Sequence, residues 1–355
     1  RCVAGWLHVD ENDYISVLSE LGSECLGAIR IVEGDMNIKQ SSYRLLSHEE
    51  LLEFAREGAT KSAELVMKSH LSLAGASGKT GLYYDRNNNE WYQPAGLAPS
   101  THILKQSHVR LKKIVANEQL CLLTARKLGI RTPDSFIINL NDKEDDFLFA
   151  TERYDRKILD TSKELMGKKV PLRLHQEDFA QALGITASQK YEKNGKDYLA
   201  DVFELIKNYS SNPIEDQIRL WDLCIFNYLI GNTDNHVKNI ALLYSEDLKG
   251  IRLAPAYDLL STVIYDSSTE KMSLNIDGEY DIRNINQKSF ENEAKKLGLG
   301  KGIATQHFLS MVEKFEMALE QSTYELEEQG YGVAVDIQKQ ILKKAGIHNF
   351  KLTNP

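Results

Sequence analysis

One polar loop, bounded by two apolar segments, carries residues whose types and spacing could do chemistry. It reads GNTDNHVKN over residues 231–239 and places Asp234 five residues before Asn239. A carboxylate within hydrogen-bond reach of a hydroxyl can orient that hydroxyl and accept its proton. The carbonyl oxygen of an asparagine side chain is a hard ligand of the kind that Mg²⁺ binds. Catalytic loops that transfer a phosphoryl group from ATP to a hydroxyl use this spacing.

The spacing alone is weak support, because three other Asp residues also precede an Asn by five positions. Those pairs lie across an apolar strand, inside a predicted helix, or in polar sequence without an apolar frame: Asp134 and Asn139, Asp222 and Asn227, Asp281 and Asn286. Only residues 231–239 combine a polar loop with a rigid apolar frame, which is where catalytic groups are held. The alternative interpretation of this loop is a simple Gly/Asn/Asp turn.

Three further residues follow the order that a phosphotransferase of this kind requires. Lys105 ends the β-like run THILK and could reach the phosphates of a nucleotide. Glu118 opens an amphipathic helix and could pair with Lys105. Asp258 follows a short apolar hairpin after the polar loop and could bind a second Mg²⁺. Lys105 is alternatively a solvated lysine at a strand end and Glu118 a surface charge of the helix, but the order of the residues favours the functional interpretation.

A Gly-rich segment, SLAGASGKT over Ser72–Thr80, could cradle phosphates. It is not a Walker A loop, because Leu73 stands where the first glycine is needed and no buried strand precedes it. Its backbone N–H groups could still bind phosphates, and Lys79 adds positive charge. Farther along, Glu152–Tyr154 follows an apolar strand, at the place where a kinase chain passes beside the adenine.

Taken together, the motifs resemble the HipA-type serine/threonine kinase toxins of bacterial HipBA-like toxin–antitoxin modules. The similarity extends from about residue 71 to 261. It rests on these segments: SLAGASGKT (Ser72–Thr80), PSTHILK (Pro99–Lys105), NE and the helix ending LGI (Asn117–Ile130), ERYDR (Glu152–Arg156), LHQEDFAQALG (Leu174–Gly184), KY (Lys190–Tyr191), LIGNTDNHVKN (Leu229–Asn239) and PAYDLLS (Pro255–Ser261). The resemblance implies an α+β, divergent two-lobed protein-kinase-like fold, with a strand-rich N-lobe, a mainly helical C-lobe, and ATP and Mg²⁺ as cofactors.

By position, the resemblance makes Asp234 the catalytic residue, with Glu118 in support. Asn239 and Asp258 would be the metal ligands, and Ser72 the autophosphorylation site. The nucleotide-binding residues that it implies are Ala74, Gly75, Ala76, Ser77, Gly78, Lys79, Lys105, Glu152, Arg153, Tyr154, His236, Val237, Lys238, Asn239, Tyr257 and Asp258. The chain departs from familiar members at Ser77 and Gly78, where those carry Gln-Glu, and Ser77 becomes a second candidate phosphosite.

The resemblance implies an ATP/Mg²⁺-dependent serine/threonine protein kinase acting as a cytoplasmic toxin. Its expected substrate is a translation component such as an aminoacyl-tRNA synthetase. Its expected partner is a HipB-like antitoxin, through which most DNA contact would occur. Two alternatives stay open: a small-molecule kinase of the same fold, and a catalytically silent co-repressor partner of the antitoxin.

Composition excludes several other classes of protein. The 355 residues carry a net charge of −8, which argues against sequence-independent binding of phosphate backbones as the main activity. The four cysteines form no C-x-x-C pair, and Cys121 and Cys224 lie in apolar helical patterns, so neither a zinc site nor a disulfide framework is expected. No H-E-x-x-H or G-x-S-x-G motif is present, and no apolar run is long enough to span a membrane.

Periodicity predicts the elements that must position these residues. The predicted helices are Asn12–Leu21, Ser47–Glu57, Ile114–Leu128, Lys196–Tyr209, Pro213–Ile230, Gln287–Leu297, Gln306–Leu326 and Val333–Ala345. The predicted strands are Gly27–Glu33, a short one near Trp91, Thr101–Lys105, Ser135–Leu140, Phe147–Glu152, Ile240–Tyr244 and Ile251–Leu253. The expected domains are a remnant N-terminal subdomain (1–70), an N-lobe (71–155) and a helical C-lobe (156–355).

Overall fold

The computed structural model describes residues 13, 15–16, 26–31, 41–57, 78–107, 111, 113–141, 143, 146–193 and 195–351. The described residues divide into two compact units. One lies within Arg1–Val115 and Pro133–Gln176, and the other within Ala116–Thr132 and Glu177–Pro355. The helix after Lys105 belongs almost wholly to the second unit, and the first unit continues to Gln176. The expected domain limits at residues 70 and 155 stay a prediction.

The first unit is built on a six-stranded sheet. Its strands are β1 (Ser42–Leu45), β2 (Lys79–Asp85), β3 (Glu90–Ala95), β4 (His102–Gln106), β5 (Ser135–Asn139) and β6 (Phe147–Glu152). Their order is β1-β3-β2-β4-β6-β5, and every neighbouring pair is antiparallel. Since cross-strand partners point to the same face of an antiparallel sheet, the register fixes which side chains share a face.

One face of this sheet is covered by helix α1 (His48–Glu57). Ser47 and Glu50 form a capping box at its start: the Ser47 hydroxyl accepts from the Glu50 amide at 3.2 Å, and the Glu50 carboxylate accepts from the Ser47 amide at 2.9 Å. Buried side chains of the helix and the sheet form one core: Leu51, Phe54 and Ala55 with Leu82, Leu104, Leu148 and Ala150. The opposite face of the sheet carries Lys79 and Lys105.

The predicted strand Gly27–Glu33 is wrong over its described part, residues 27–31, which form a bend followed by irregular chain. Gly27 has φ +73°, and its amide donates to the Asp155 carboxylate at 2.7 Å. Asp155 also accepts from Arg153 and Arg156, and all three side chains are buried. Burial would raise the pKa of Asp155, but the two guanidinium groups hold it well below its usual range. The segment is therefore shaped by a buried ion cluster.

The second unit is mainly helical. Its helices are α2 (Ile114–Lys127), α3 (Phe179–Ala182), α4 (Tyr198–Tyr209), α5 (Pro213–Ile230), α6 (Gln287–Lys296), α7 (Lys301–Glu328), α8 (Val333–Lys344) and α9 (His348–Lys351). Helix α5 is buried along its last eleven residues, Leu220–Ile230, except for Asp222. Because it is apolar on nearly all sides there, it forms the centre of this unit.

Short strands complete both units. In the first, β7 (Arg156–Lys157) pairs with β10 (Leu172–Arg173), and β8 (Glu164–Leu165) with β9 (Lys168–Lys169). In the second, which begins one residue into β11 (Gln176–Asp178), that strand forms a three-stranded sheet with β12 (Ala241–Tyr244) and β13 (Ile251–Leu253). Strand β14 (Lys271–Ile276) pairs with β15 (Glu279–Asp281). The β12–β13 hairpin joins the two segments that carry Asp234 and Asp258.

Most predicted elements are confirmed within one or two residues, and Pro213–Ile230, Phe147–Glu152 and Ile251–Leu253 match at both ends. The helix predicted as Gln306–Leu326 is longer at both ends. Strands β1, β11, β14 and β15, the short helices α3 and α9, and the hairpins between Arg156 and Arg173 were not predicted. The predicted helix Asn12–Leu21 lies almost entirely outside the described residues. None of the helices in the described ranges is both long and apolar enough to cross a membrane.

Candidate active site

The polar loop 231–239 begins where the buried helix α5 ends. Gly231 caps the helix in the left-handed conformation, with φ +68°, and its amide donates to the Tyr228 carbonyl at 3.0 Å. A Cβ at this position would lie 2.3 Å from Val263 Cγ1 and 3.0 Å from Ala345 Cβ. Only glycine fits without displacement, so the loop leaves the helix in a direction that packing fixes.

The next two residues are held by buried hydrogen bonds. The side-chain amide of Asn232 donates to Asn227 Oδ1 at 2.8 Å. The amide of Thr233 donates to Thr262 Oγ1 at 2.7 Å, and its carbonyl accepts from Ser273 Oγ at 2.6 Å. These contacts hold the backbone immediately before Asp234, whose side chain is partly exposed.

Asp234 and Asn239, the pair singled out by spacing, are tied to each other. Asn239 Nδ2 donates to the Asp234 carbonyl at 3.1 Å, so the loop closes on itself. The contact also sets the orientation of the Asn239 amide. From the described part of the chain, Asn239 Oδ1 receives no hydrogen bond. An oxygen presented in this way suits a hard cation such as Mg²⁺.

Asp258 follows the β12–β13 hairpin and contacts the same loop through its backbone. It adopts φ +57°, an unusual conformation for a residue other than glycine, and its carbonyl accepts from Asn232 Nδ2 at 3.3 Å. The charges of the Asp234 and Asp258 carboxylates both affect the pKa of His236. Burial and the neighbouring Lys190 lower the pKa of His236, whereas the negative charges of Asp234 and Asp258 oppose that shift. Asp258 thus lies against the loop through the contact of its backbone with Asn232, and its charge, like that of Asp234, acts on the buried His236.

No described part of the chain gathers three or more His, Cys, Asp or Glu side chains as a ready-made metal cage. The oxygen donors that the resemblance assigns to a cation are the side-chain oxygen of Asn239 and the carboxylate of Asp258. Mg²⁺ is commonly bound by one or two carboxylates with the phosphates of a substrate, rather than by an all-protein cage. The residues present fit that kind of site.

The other loop residues implied by the resemblance play different parts in the packing. Val237 is fully buried. The Lys238 ammonium donates to Asp178 at 2.7 Å, and the Lys238 carbonyl accepts from the Tyr257 hydroxyl at 3.0 Å. Val237, Lys238 and Tyr257 thus hold the loop against β11 and the segment before Asp258.

In the strand-rich unit, the two candidate phosphate-binding lysines lie side by side. Lys79 on β2 is the cross-strand partner of Lys105 on β4, and the Gly78 carbonyl accepts from the Gln106 amide at 3.3 Å. Lys105 is in turn the partner of Phe149, with Nζ 5.6 Å from the ring centroid. Both ammonium groups therefore belong to the face of the sheet opposite helix α1.

The residues at the end of β6 that the resemblance implies for the adenine edge differ in their burial and their hydrogen-bond partners. Burial raises the pKa of Glu152, with Arg86 at 3.1 Å partly offsetting it. The Tyr154 hydroxyl donates to Gln176. Arg153 is buried, and its guanidinium is bound by Asp155 and the Ser100 hydroxyl. The side chain of Arg153 therefore supports the fold of this unit.

The remaining candidates are placed as follows. Ser72, Ala74, Gly75, Ala76 and Ser77 lie outside the described residues. Glu118 lies on helix α2 in the second unit and is 3% exposed. One residue earlier, Asn117 donates to the Ser261 carbonyl at 2.8 Å and accepts from the Ser261 amide at 3.0 Å. This two-point contact anchors the chain that follows Asp258.

Two residues next to the loop were not predicted as part of the site. The Tyr191 hydroxyl donates to Asp234 Oδ1 at 2.7 Å, and Lys190 Nζ lies 2.7 Å from His236 Nε2. The dipeptide KY was recognised only as part of a motif, because no spacing rule connects it with a loop more than forty residues later. A contact of this range depends on the tertiary fold.

Comparison with known proteins gives the family. The HipA-like C-terminal domain model matches residues 71–321. The chain is 33% identical over 243 residues to a Sinorhizobium fredii protein named "Putative kinase Y4mE", covering 68% of this chain and 54% of the relative. It is 26% identical over 325 residues to "Serine/threonine-protein kinase toxin HipA" of Shewanella oneidensis, covering 88% and 71%. The chain thus spans about half the length of the first relative.

The fold has a counterpart among solved structures. A chain of the complex of HipA, HipB and operator DNA from the Shewanella oneidensis toxin–antitoxin system superposes with a TM-score of 0.78 and 22% identity. The match covers 96% of this chain and 80% of the other. The expected α+β protein-kinase-like fold is thereby confirmed. Since the family model also extends over most of the sequence, the chain belongs to the HipA-like C-terminal domain family.

Proposed function

We propose that the chain is an ATP- and Mg²⁺-dependent serine/threonine protein kinase that acts as the toxin of a toxin–antitoxin module. The observation that supports the proposal is that one loop ties Asn239 to Asp234 and, through Asn232, contacts the backbone of Asp258. The first two are linked at 3.1 Å, and the charges of Asp234 and Asp258 both act on His236. Phosphoryl transfer demands this combination of a hydroxyl-orienting carboxylate and oxygen ligands for a cation.

In the proposed reaction, Asp234 accepts a hydrogen bond from the acceptor hydroxyl. The hydroxyl oxygen forms a bond to the γ-phosphorus of ATP, the bond from that phosphorus to the β–γ bridging oxygen breaks, and ADP leaves. The proton of the hydroxyl passes to the Asp234 carboxylate. Asn239 and Asp258 would hold Mg²⁺, which would neutralise phosphate charge when bound. Positioning and charge stabilisation supply most of the catalysis in such reactions.

Within the strand-rich unit, the residues proposed for nucleotide binding are those that the resemblance implies. Lys105 and Lys79 lie on one sheet face and carry the positive charge that triphosphate oxygens require. We assign the backbone of residues 74–79 to the phosphates and the Glu152 and Tyr154 region to the adenine. Ser72 is proposed as the autophosphorylation site, where a phosphate of about −1.5 to −2 charges would repel the phosphates of ATP.

The proposed partners follow from the relatives. One relative is named as a serine/threonine-protein kinase toxin, and the solved structure that superposes is a complex with HipB and operator DNA. We therefore propose a HipB-like antitoxin as partner, with DNA contact mainly through it. The net charge of −8 agrees with DNA being contacted mainly by the partner, because DNA is itself negatively charged. The proposed setting is the cytoplasm, and the proposed substrate is a translation component such as an aminoacyl-tRNA synthetase.

The decisive test is Asp234→Asn, which keeps the shape of the side chain and removes its charge. With radiolabelled ATP and Mg²⁺, we expect incorporation of phosphate into protein to fall by about 10² to 10⁴. Binding of Mg–ADP, measured by thermal stabilisation, should persist. Asp222→Asn is the matched control, because Asp222 heads another Asp-to-Asn pair at the same spacing and contacts His307 instead.

Loss of transfer in D234N but not in D222N supports the assignment. Equal activity of D234N and the wild type would refute it. The substrate is identified separately, by comparing phosphopeptides from cells that express the wild type with those from cells that express D234N. Enrichment of a synthetase peptide with the wild type alone is the result expected.

A further inference from the structure

The segment that precedes helix α4 is fixed at both of its ends. The Glu192 carboxylate accepts from the Tyr198 amide at 2.6 Å and from the Asn275 amide and side chain at 2.8 and 2.6 Å. At the other end, the Gln189 carbonyl accepts from the Tyr198 hydroxyl at 3.0 Å. Lys190 and Tyr191 therefore lie between two anchor points and are held in place by the core of the helical unit.

Both residues of this short segment reach into the candidate site. The Tyr191 hydroxyl donates to Asp234 Oδ1 at 2.7 Å, and its ring meets the edge of His236 at 5.3 Å between centroids. The Lys190 ammonium lies 4.7 Å above the Tyr191 ring and 2.7 Å from His236 Nε2. An ammonium has only protons to donate, so this contact requires Nε2 to be the acceptor. The segment thus contacts both side chains by directed bonds.

The hydrogen bond from Tyr191 gives the two carboxylate oxygens of Asp234 different surroundings. Oδ1 is taken by the phenol, whereas Oδ2 accepts no hydrogen bond from any residue that the structure describes. A carboxylate turns about its terminal torsion over a broad range of angles, so a single directed bond restricts it strongly. With Oδ1 fixed, the position of Oδ2 is fixed as well.

We propose that Tyr191 is a positioning residue, which holds Oδ1 of Asp234 so that Oδ2 receives the hydroxyl of the phosphate acceptor. The inference rests on the proposed kinase function and adds the place where the acceptor hydroxyl binds. Tyr191 does not block Asp234 by a segment that swings away, because its neighbours Gln189 and Glu192 are both anchored by hydrogen bonds. It also leaves one oxygen of the carboxylate available, which is all that a single hydroxyl needs.

The test is Tyr191→Phe, which removes one hydroxyl and keeps the ring against His236 and Lys190. We expect kcat for phosphate transfer to fall about 10- to 100-fold, as for loss of one hydrogen bond to a charged group. The KM for ATP should stay within about twofold of the wild type. Tyr209→Phe is the matched control, since Tyr209 is an exposed tyrosine of the same unit whose hydroxyl makes no hydrogen bond to the described residues.

A double variant separates positioning from a general structural effect. In a D234N background, Tyr191→Phe should change the residual rate less than about twofold, because the two changes act through one group. A wild-type kcat in Y191F, a higher kcat, an equal rise in the KM for ATP, or additivity with D234N would each overturn the inference. A wild-type protein that transfers no phosphate at all would instead overturn the proposed function.

Discussion

Gly231 offers a stringent test of how the catalytic loop is built, because replacing it by alanine has two separable costs. The left-handed φ of +68° costs a residue with a Cβ about 1–2 kcal/mol. The new Cβ would also lie 2.3 Å from Val263 Cγ1, far inside the roughly 3.5–4.0 Å of a normal carbon contact. Overpacking of this kind costs about 1–3 kcal/mol. The free energy of unfolding should therefore fall by about 2–5 kcal/mol in total.

Gly298→Ala isolates the conformational part, because Gly298 has φ +73° in the same unit and a Cβ there meets nothing within 4 Å. Thermal unfolding should place G298A only about 2–8 °C below the wild type, at about 2–4 °C per kcal/mol for a unit of this size. G231A should unfold well below G298A. Adding Val263→Ala to G231A should recover part of the loss. If G231A is as stable as G298A, the close packing behind the loop is refuted.

Two further predictions concern buried titratable groups. Asp216→Asn should lower the free energy of unfolding at pH 7 by about 3–5 kcal/mol, measured by urea denaturation, because Arg252 and Arg219 lose a fully buried charged partner. Burial alone would raise the pKa of Asp216, but Arg252, Ser210 and the Leu253 amide lower it. The stability it contributes is thus present above the unfolded pKa and is lost as the pH falls through the lowered one, so D216N should be less acid-sensitive than the wild type. Burial lowers the pKa of His102 from 6.5 to about 3, so the wild type should lose stability as the pH falls across that interval, and H102Q should lose less in calorimetry at matched pH values.

The sequence was sufficient to predict an element where its local signals agree with the burial of its side chains. Helix α5 begins at Pro213 and ends before Gly231, and both signals belong to the residues themselves. The capping box at Ser47 is equally local. The segment at Gly27 was misjudged because its conformation follows from Asp155, which lies 128 residues away. Alternating apolar residues cannot report a buried ion cluster formed by distant parts of the chain.

In the candidate site, too, some contacts could be predicted from the sequence and others could not. The bond between Asp234 and Asn239 could be anticipated, since the two residues share one short loop. Its supports could not, because the loop is held by Thr262 and Ser273 and oriented by Tyr191, which are far from it in sequence. Such side chains have no special spacing, and only the folded unit shows that they meet.

The position of helix α2 bears on how the chain can be divided for expression. Residues 116–132 belong to the helical unit but stand in the sequence between two stretches of the sheet unit. A fragment starting at Glu177 would lack this helix, and both backbone groups of Ser261 would lose their buried partner, Asn117. Such a truncation would leave two polar groups unsatisfied in an apolar interior, which is costly. A soluble fragment would need residues 116–132 supplied again, for instance by circular permutation.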